Sequence, residues 1–409
     1  MTAAAQEFDV IVVGGGMVGA SMALALAPLD LRIAVVDRVP PPERRAPGYD
    51  DRSTALAAGS RRILEAIGVW NALALHATPI HDVHVSEHGR LGTAVLSARD
   101  VALDALGWVV ENPRLAIALD DALVKCPAVE RFQPATLAGI IDTGDAIEVD
   151  LDTDGVMRRC RTRLLIGADG ATSTVRELLG IDASVRDYGQ SAIVTNLTPL
   201  ILREGYAWER FTPDGPLAML PLTGGRCALV WTMPRARAEA RLALSDDAFG
   251  QAVNALFGGR FGGIARVGRR QAWPLTRTLA AKQRRGRAVL VGNAAHSLHP
   301  IAAQGLNLSL RDCAALAEAV AAGLDADDPA DIGALDQWQR ERRADQRRVA
   351  GFIDGLNGLF TNDFAGLGAV RGGGLGAFGL FGPGKRLIAR YGAGIGPPLP
   401  KLARGIPLR

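Results

Sequence analysis

The stretch FDVIVVGGGMVGASMALALAPLDLRIAVVD, residues 8–37, limits what this chain can fold into more than any other. Val10 to Val13 are four β-branched residues ending at a glycine cluster; Ala20 to Ala27 are small and apolar; LRIAVV (31–36) is a second apolar run that stops at Asp37. Runs this short and this apolar read as strand, turn, helix and strand of a parallel sheet covered on both faces. Gly14, Gly16 and Gly19 fall in the GxGxxG spacing. The first glycine allows the tight turn, the second lets backbone approach a pyrophosphate, and the third lets helix and strand close on each other. Asp37 stands where an acid binds an adenosine ribose hydroxyl. A membrane span is the competing reading, but Asp9 and the glycines interrupt the apolar run, and Gln6 and Glu7 in front of it supply no basic start for a signal peptide.

A second GxGxxG, at Gly374, Gly376 and Gly379, lies in RGGGLGAFGLFGPG and reads as a flexible glycine-rich loop. The chain therefore offers one dinucleotide site, and a nicotinamide cofactor has no Rossmann site of its own. Two later segments repeat the strand-to-helix theme. RLLIGADGATSTVRELLGI (163–181) is a strand ending at Asp169-Gly170, then a helix from near Ser173 that includes Arg176. Asp-Gly is also common turn chemistry, so Asp169 alone is open to a structural reading. VLVGNAAHSLHPIAAQGLNLSLRD (289–312) is a strand separated from the next helix by an insert too long for a plain tight connection. A flat or extended group could lie across it, against a helix N-terminus.

At 409 residues the chain has room for two domains or one large one. A net charge of +3 gives no case for nucleic-acid binding. The charge is unevenly spread: no Asp or Glu follows Phe364, whereas Arg371, Lys385, Arg386, Arg390, Lys401, Arg404 and Arg409 do, alongside Leu367, Leu375, Phe378, Leu380 and Phe381. A basic, apolar tail suits an anionic lipid surface or an acidic partner, or equally a segment folded back and packed. Cys126, Cys160, Cys227 and Cys313 form no CxxC, which reads as reduced thiols in a cytosolic protein. The histidines form no metal-site pattern, so no metal is expected.

GGGMVG with Asp37, ADGATSTVR, and GNAAHSLHPIAAQGLNLSLRD, in this order and spacing, resemble the three fingerprints of the class A flavoprotein aromatic hydroxylases, the para-hydroxybenzoate hydroxylase fold. DDRSTALAAGSRRILEAIGVW (51–70), PIHDVHVSEHGRLG (79–92), ENPRLAIAL (111–119), RFTPDGPLAMLPL (210–222) and LFTNDFAGLGAVRGGGLGAF (359–378) look like its ubiquinone-biosynthesis branch, the UbiH type of 2-polyprenyl-6-methoxyphenol hydroxylase. The resemblance implies one FAD, NAD(P)H as co-substrate, and insertion of oxygen from O2 into a prenylated phenol through a flavin C4a-hydroperoxide. It also implies site residues. Gly14, Gly16, Gly19, Asp37, Arg52 at the diphosphate, Asn112 at the ribityl chain, Asp169 and Asn293 would hold FAD; Asn112, followed by Pro113, could equally be a helix cap. Pro300 would face the flavin ring, and the helix starting near Gly305, Leu306 and Asn307 would aim its N–H groups at the ring's N1/O2 edge, stabilising the reduced flavin's charge. Asn293 departs from the usual Asp; an amide keeps an acceptor and adds a donor, so hydroxyl recognition can persist without the charge. For catalysis the residues to weigh are His296, His299 and Tyr206, with Tyr188 beside them.

The fold expected is α/β: a discontinuous Rossmann-like FAD-binding domain, a β-sheet substrate domain and a C-terminal helical tail. FAD-binding parts are placed at 1–77, 100–182 and 272–350, a substrate-domain hairpin at 78–99, the substrate sheet at 183–271 and the basic tail at 351–409. QWQRERRADQRRVAGFIDGLNGLF (337–360) reads as an amphipathic helix with its charges in solvent. Expected partners are the prenylated phenol, oxygen, and a membrane surface or other quinone-biosynthesis proteins, with no nucleic acid; the expected location is cytoplasmic, peripheral to the inner membrane. Two other readings stay open: a flavin reductase or halogenase on another aromatic or lipid substrate, and a non-catalytic scaffold of the same fold.

Overall fold

The first strand, Gln6–Val13, is parallel to Ile33–Val36 on one side and to Val156–Gly167 on the other. Val129–Phe132 and Ala288–Leu290 extend this parallel set outward, with Arg284–Arg285 as an antiparallel edge. This is a computed structural model that describes residues 5–45, 48–299, 303–361 and 375–408. Val10, Ile11 and Val12 have no exposed surface, as a strand covered on both faces requires. Each such side chain contributes roughly 1.5–3 kcal/mol by leaving water. One face packs on helices Met17–Leu26, Asn112–Val124 and Gln304–Gly323. The other packs on the meander Thr136–Asp142 and Ile147–Thr153 and on the short helix Thr174–Leu178.

A nine-stranded sheet forms the second body. Its path runs His296–Ser297, Gln271–Ala280, Ala183–Pro199, Cys227–Pro234, Gly215–Pro221, Tyr206–Thr212, Asp82–Glu87 and Thr93–Ser97, with Ile264–Val267 beside Ala183–Pro199. Of the segment 78–99 expected as a hairpin, Asp82–Glu87 and Thr93–Ser97 form the far edge of this sheet, while Thr78–Ile80 belongs to a separate small sheet. The boundary placed at 272 falls inside strand Gln271–Ala280, which pairs with Ala183–Pro199 from Ala183–Ala280 to Val194–Gln271. A small sheet of Ser53–Ala57, Gly107–Glu111 and Thr78–Ile80 lies between the two bodies, where Ile80 and Val109 meet Ala207 and Ala228 of the large sheet.

Two expectations for the C-terminal third need correction. Helix Ile332–Thr361 forms, but its charges do not all face solvent: Arg342 and Gln346 are only 4% and 7% exposed. They share a four-residue stripe with Trp338 and Ala350, so helix geometry turns them inward together. The glycine-rich stretch expected to be a loop is helical over 375–380, and a Cβ on Gly379 would lie 2.5 Å from the Thr93 carbonyl oxygen. Glycine serves there as a contact between helix and strand edge. Gly374, Leu367 and the other residues from 362 to 374 lie outside the described residues. Beyond them the chain folds back: the Gly59 N–H donates to the Ala393 carbonyl at 2.9 Å, and Leu402 and Ala403 join the main core.

Candidate active site

Glycines shape the end of the site nearest the N-terminus. Gly14 takes φ +101°, and a Cβ there would lie 2.5 Å from the Ala168 carbonyl oxygen; a Cβ on Gly19 would lie 1.7 Å from that of Gly14. These two positions bring the turn, the helix and the neighbouring strand end together. Gly16 differs, because a Cβ on it would meet nothing within 4 Å. It is the N-cap of helix Met17–Leu26, no side chain caps that end, and the helix dipole is positive there. The result is an open, anion-attracting hollow. Asp37 borders it, accepting the Gly15 N–H at 2.7 Å and the Val39 N–H at 2.9 Å.

Asp169 stands at the end of the adjacent strand. It accepts from the Ser173 hydroxyl at 2.5 Å and the Val175 N–H at 3.1 Å, and Ser173 Oγ in turn accepts the Arg176 N–H at 3.0 Å. Arg176 reaches across to the Ala294 carbonyl at 2.9 Å, which ties this turn to the segment after Gly292. Asn293 sits in a 3-10 turn, Gly292–Ala294, and is exposed. The chain then enters the nine-stranded sheet as its edge strand His296–Ser297, pairing with Leu279 and Thr278. So the first half of the long insert seen in the sequence carries the chain from one sheet to the other. Pro300 lies outside the described residues.

Ala303, at φ 49°, turns the chain into helix Gln304–Gly323. No side chain caps this helix, and a Cβ on Gly305 would meet nothing within 4 Å, so a second open helix N-terminus faces the same region. Leu306 is half-buried. The Asn307 amide is committed to the fold: it donates to the carbonyls of Ala55 at 2.9 Å and Ala303 at 2.7 Å, and accepts the Ala57 N–H at 2.8 Å. Its part in any ligand site is therefore left to its backbone. Arg52 and Asn112 are adjacent, since the Asn112 N–H donates to the Arg52 carbonyl at 2.8 Å. Arg52 is exposed with its guanidinium 4.9 Å over the Trp273 ring, while Asn112 Oδ1 is buried without a partner among the described residues. Asn112 is the first residue of helix Asn112–Val124, and Glu111 is the N-cap.

Residues 7–352 match the FAD binding domain family. This chain belongs to that family. It is 38% identical over 407 residues to ubiquinone hydroxylase UbiL of Rhodospirillum rubrum, covering 98% of this chain and 93% of the relative. It is 32% identical over 394 residues to the 3-demethoxyubiquinol 3-hydroxylase of Escherichia coli, covering 95% of this chain and 99% of that one. Among solved structures, p-nitrophenol 4-monooxygenase PnpA from Pseudomonas putida shares the fold, with a TM-score of 0.79 at 20% identity over 96% of this chain and all of that one. The cofactor is FAD. The residues fit it: the hollow at Gly16 accepts a pyrophosphate, Asp37 and Asn293 border the cleft, Asn112 Oδ1 lacks a partner, and the second helix N-terminus suits the electron-rich edge of an isoalloxazine ring.

Behind the segment 292–299 lies a buried ionic cluster that the sequence reading missed. His296 is 1% exposed and its Nε2 hydrogen-bonds Asp312, whose side chain has no exposed surface. The same carboxylate accepts Arg342 Nε at 2.6 Å and Gln346 Nε2 at 3.0 Å. Asp345 continues the cluster, accepting Arg342 at 2.7 Å and lying 3.4 Å from Arg311. Burial pushes the Asp312 carboxyl up, but Arg342 and His296 outweigh it and the net shift is downward, so Asp312 is the anion at the centre. His296 is thus held from behind. His299 is different: burial lowers it to about 4, so it is neutral at physiological pH. Its ring packs edge-on to Tyr188 at 5.0 Å. The Tyr188 hydroxyl donates to Asp354 at 2.7 Å, and burial followed by that carboxylate raises it to about 12. Tyr206 is not brought to this cleft. It packs in the core on the other face of the nine-stranded sheet, with Arg203 3.5 Å from its ring and Trp208 at 5.8 Å.

Proposed function

We propose that this FAD-dependent monooxygenase hydroxylates a polyprenylated phenol in ubiquinone biosynthesis, with NAD(P)H and O2. The observation that carries the reading is the passage 292–299, which follows the end of strand Ala288–Leu290 and also supplies an edge strand of the large sheet, so that one segment would border both flavin and substrate. FAD supplies the redox and oxygen-transfer chemistry. The chain's own residues bind its phosphates and hydroxyls at Gly16, Asp37, Arg52, Asn112 and Asn293, hold its ring against the Gly305 helix start, and keep water from the reacting carbon. The names of the two sequence relatives, a ubiquinone hydroxylase and a demethoxyubiquinol hydroxylase, support the substrate class.

A long prenyl tail keeps such a phenol in a lipid phase, and the chain has a surface suited to it. Leu380, Phe381 and Leu387 are 90%, 58% and 57% exposed beside Lys385, Arg386 and Arg390. Lys385 lies 3.9 Å from Asp100, and apolar residues beside the exposed Arg386 and Arg390 suit peripheral contact with anionic headgroups. Among the described residues no helix is long and apolar enough to cross a membrane. The test supplies NADPH, isotopically labelled O2 and a polyprenylphenol in anionic or neutral vesicles. Label in the phenol product is expected, with faster turnover from anionic vesicles. NADPH oxidation without labelled product would make the protein a reductase, and equal rates from both vesicle types would remove the membrane contact.

A further inference from the structure

Strand register places Val85, Glu209, Ala218, Val230 and Val194 side by side across five strands of the nine-stranded sheet, on one face. All five are half-buried. The parallel rows on either side of them are packed over: in one of them Val83 and Leu220 are half-buried and pack with Ile80 and Val109. Ala207, Ala228 and Asn196 are 2%, 4% and 3% exposed, the first two packed on Ile80 and Val109. Beyond the other side, Phe211, Thr232 and Ala192 are 3%, 1% and 3% exposed. An accessible row between a buried row and one packed against the small sheet is a trough. At about 4.8 Å per strand it spans roughly 20 Å. The opposite face cannot supply one, because Trp208, Met219 and Leu229 there are sealed under Phe249, Val253 and Phe257.

The trough is on the cofactor side. Ala55, whose carbonyl accepts from Asn307 at the flavin helix start, packs in the same small core as Ala207 and Ala228. Trp273, stacked under Arg52, pairs with Ala192 and so lies on this face. Alanine and valine make the floor; Glu209 is its one ionisable side chain. No hydrogen bond or ion pair from another described residue reaches that carboxyl.

We propose that this trough holds the substrate, its prenyl chain on the valines, and that Glu209 is the base that takes the phenolic proton. The proposal rests on the phenol-hydroxylase reading above. In the step, the phenol O–H bond breaks, its electron pair stays on the phenolate oxygen, and the proton goes to a Glu209 carboxylate oxygen. No electron passes to the protein. The electron-rich phenolate is then the better nucleophile toward the oxygen that reduced flavin and O2 provide.

The surroundings match the task. Burial raises the Glu209 carboxyl to about 7, where a base is half-ionised at working pH and still strong enough to accept. The other ionisable groups around it are engaged elsewhere or face away. Glu87, on the neighbouring strand, is in the buried row; Glu111 pairs with Arg226 at 2.8 Å; and Asp354, on the long helix packed against Gly215–Pro221, is held by Tyr188 and Arg277. Arg210, next in the strand, points to the other face and donates to Ser86 Oγ at 3.0 Å.

The experiment uses the FAD-loaded full chain, with 2-(3-methylbut-2-enyl)phenol as a soluble probe, and compares wild type with Glu209→Gln and Glu209→Asp. Wild-type kcat/KM should rise through an ionisation near pH 7. Glu209→Gln should lose that limb and about 10²–10⁴-fold in rate, with unchanged FAD content and NADPH-driven flavin reduction, while Glu209→Asp keeps a limb at shifted pH. A protonated-carboxyl infrared band that titrates near neutral pH should be present in wild type and missing in Glu209→Gln. Wild-type hydroxylation with the same limb and rate in Glu209→Gln, or no titrating carboxyl band, would overturn the assignment alone. Failure of wild type to hydroxylate the probe would overturn the phenol reading and the assignment with it.

Discussion

The two ends of the proposed FAD cleft are built by different means. At the Gly14–Gly19 turn, the site is backbone: space at Gly16, an uncapped helix start, and close approaches that only glycine permits. At the His296 end, the chain is held from behind by side chains, with Asp312 bonded to His296, Arg342 and Gln346. The first kind of site is local and depends on a few consecutive residues. The second depends on two helices and an edge strand meeting, and its stability is coupled to the whole fold.

Removing the centre of the ring-side cluster should have the largest effect. Asp312→Ala leaves His296 buried without its anion and Arg342 with Asp345 alone, and should cost about 3–5 kcal/mol in denaturant unfolding. Flavin fluorescence at the ring end should change even in the fraction that stays folded. A loss below about 1 kcal/mol would mean that the cluster does not support this end.

Gly16→Val is the converse experiment. Its side chain enters open space, so the apoprotein should melt as wild type does, but a pyrophosphate can no longer reach the backbone. Losing even one charge-assisted hydrogen bond should weaken FAD by roughly 1.5–3 kcal/mol, measured by titration of apoprotein. Destabilised apoprotein with normal FAD affinity would reverse the contrast between the two ends.

Asn293→Leu should give the smallest change. Asn293 is exposed at the edge of the cleft, so loss of its hydroxyl contact should weaken FAD by about 1–2 kcal/mol. Asn293→Asp should keep the affinity with an altered flavin potential. Equal affinity in wild type and the leucine variant would take Asn293 out of the site.

The Gly14–Gly19 turn was legible because its physics is short-range. A turn, a close approach and an acid after the second strand are all encoded within residues 10–37. The GxGxxG spacing alone is not enough, however: the copy ending at Gly379 serves to pack a helix on the Thr93 edge. What distinguishes the two is the apolar strand before the first. The inward stripe of Trp338, Arg342 and Gln346 was also visible as a four-residue spacing, but charge on a helix reads as solvent-facing unless its buried partner is known. That partner, Asp312, is 30 residues away on another helix.

The sequence by itself determined the parallel sheet, the dinucleotide turn and the order of the motif segments, since each follows from apolar runs, glycines and caps acting over a few residues. Only the tertiary structure decided which side chains share a face. Val85, Glu209 and Val194 lie on three strands far apart in the chain, and no local period relates them. Register across a sheet is set by turns, bulges and the packing of both faces together, and a shift of one residue would move Glu209 to the opposite face. The same holds for Tyr206: its residue type suggested a phenol ligand, and its register put it in the core on the far side.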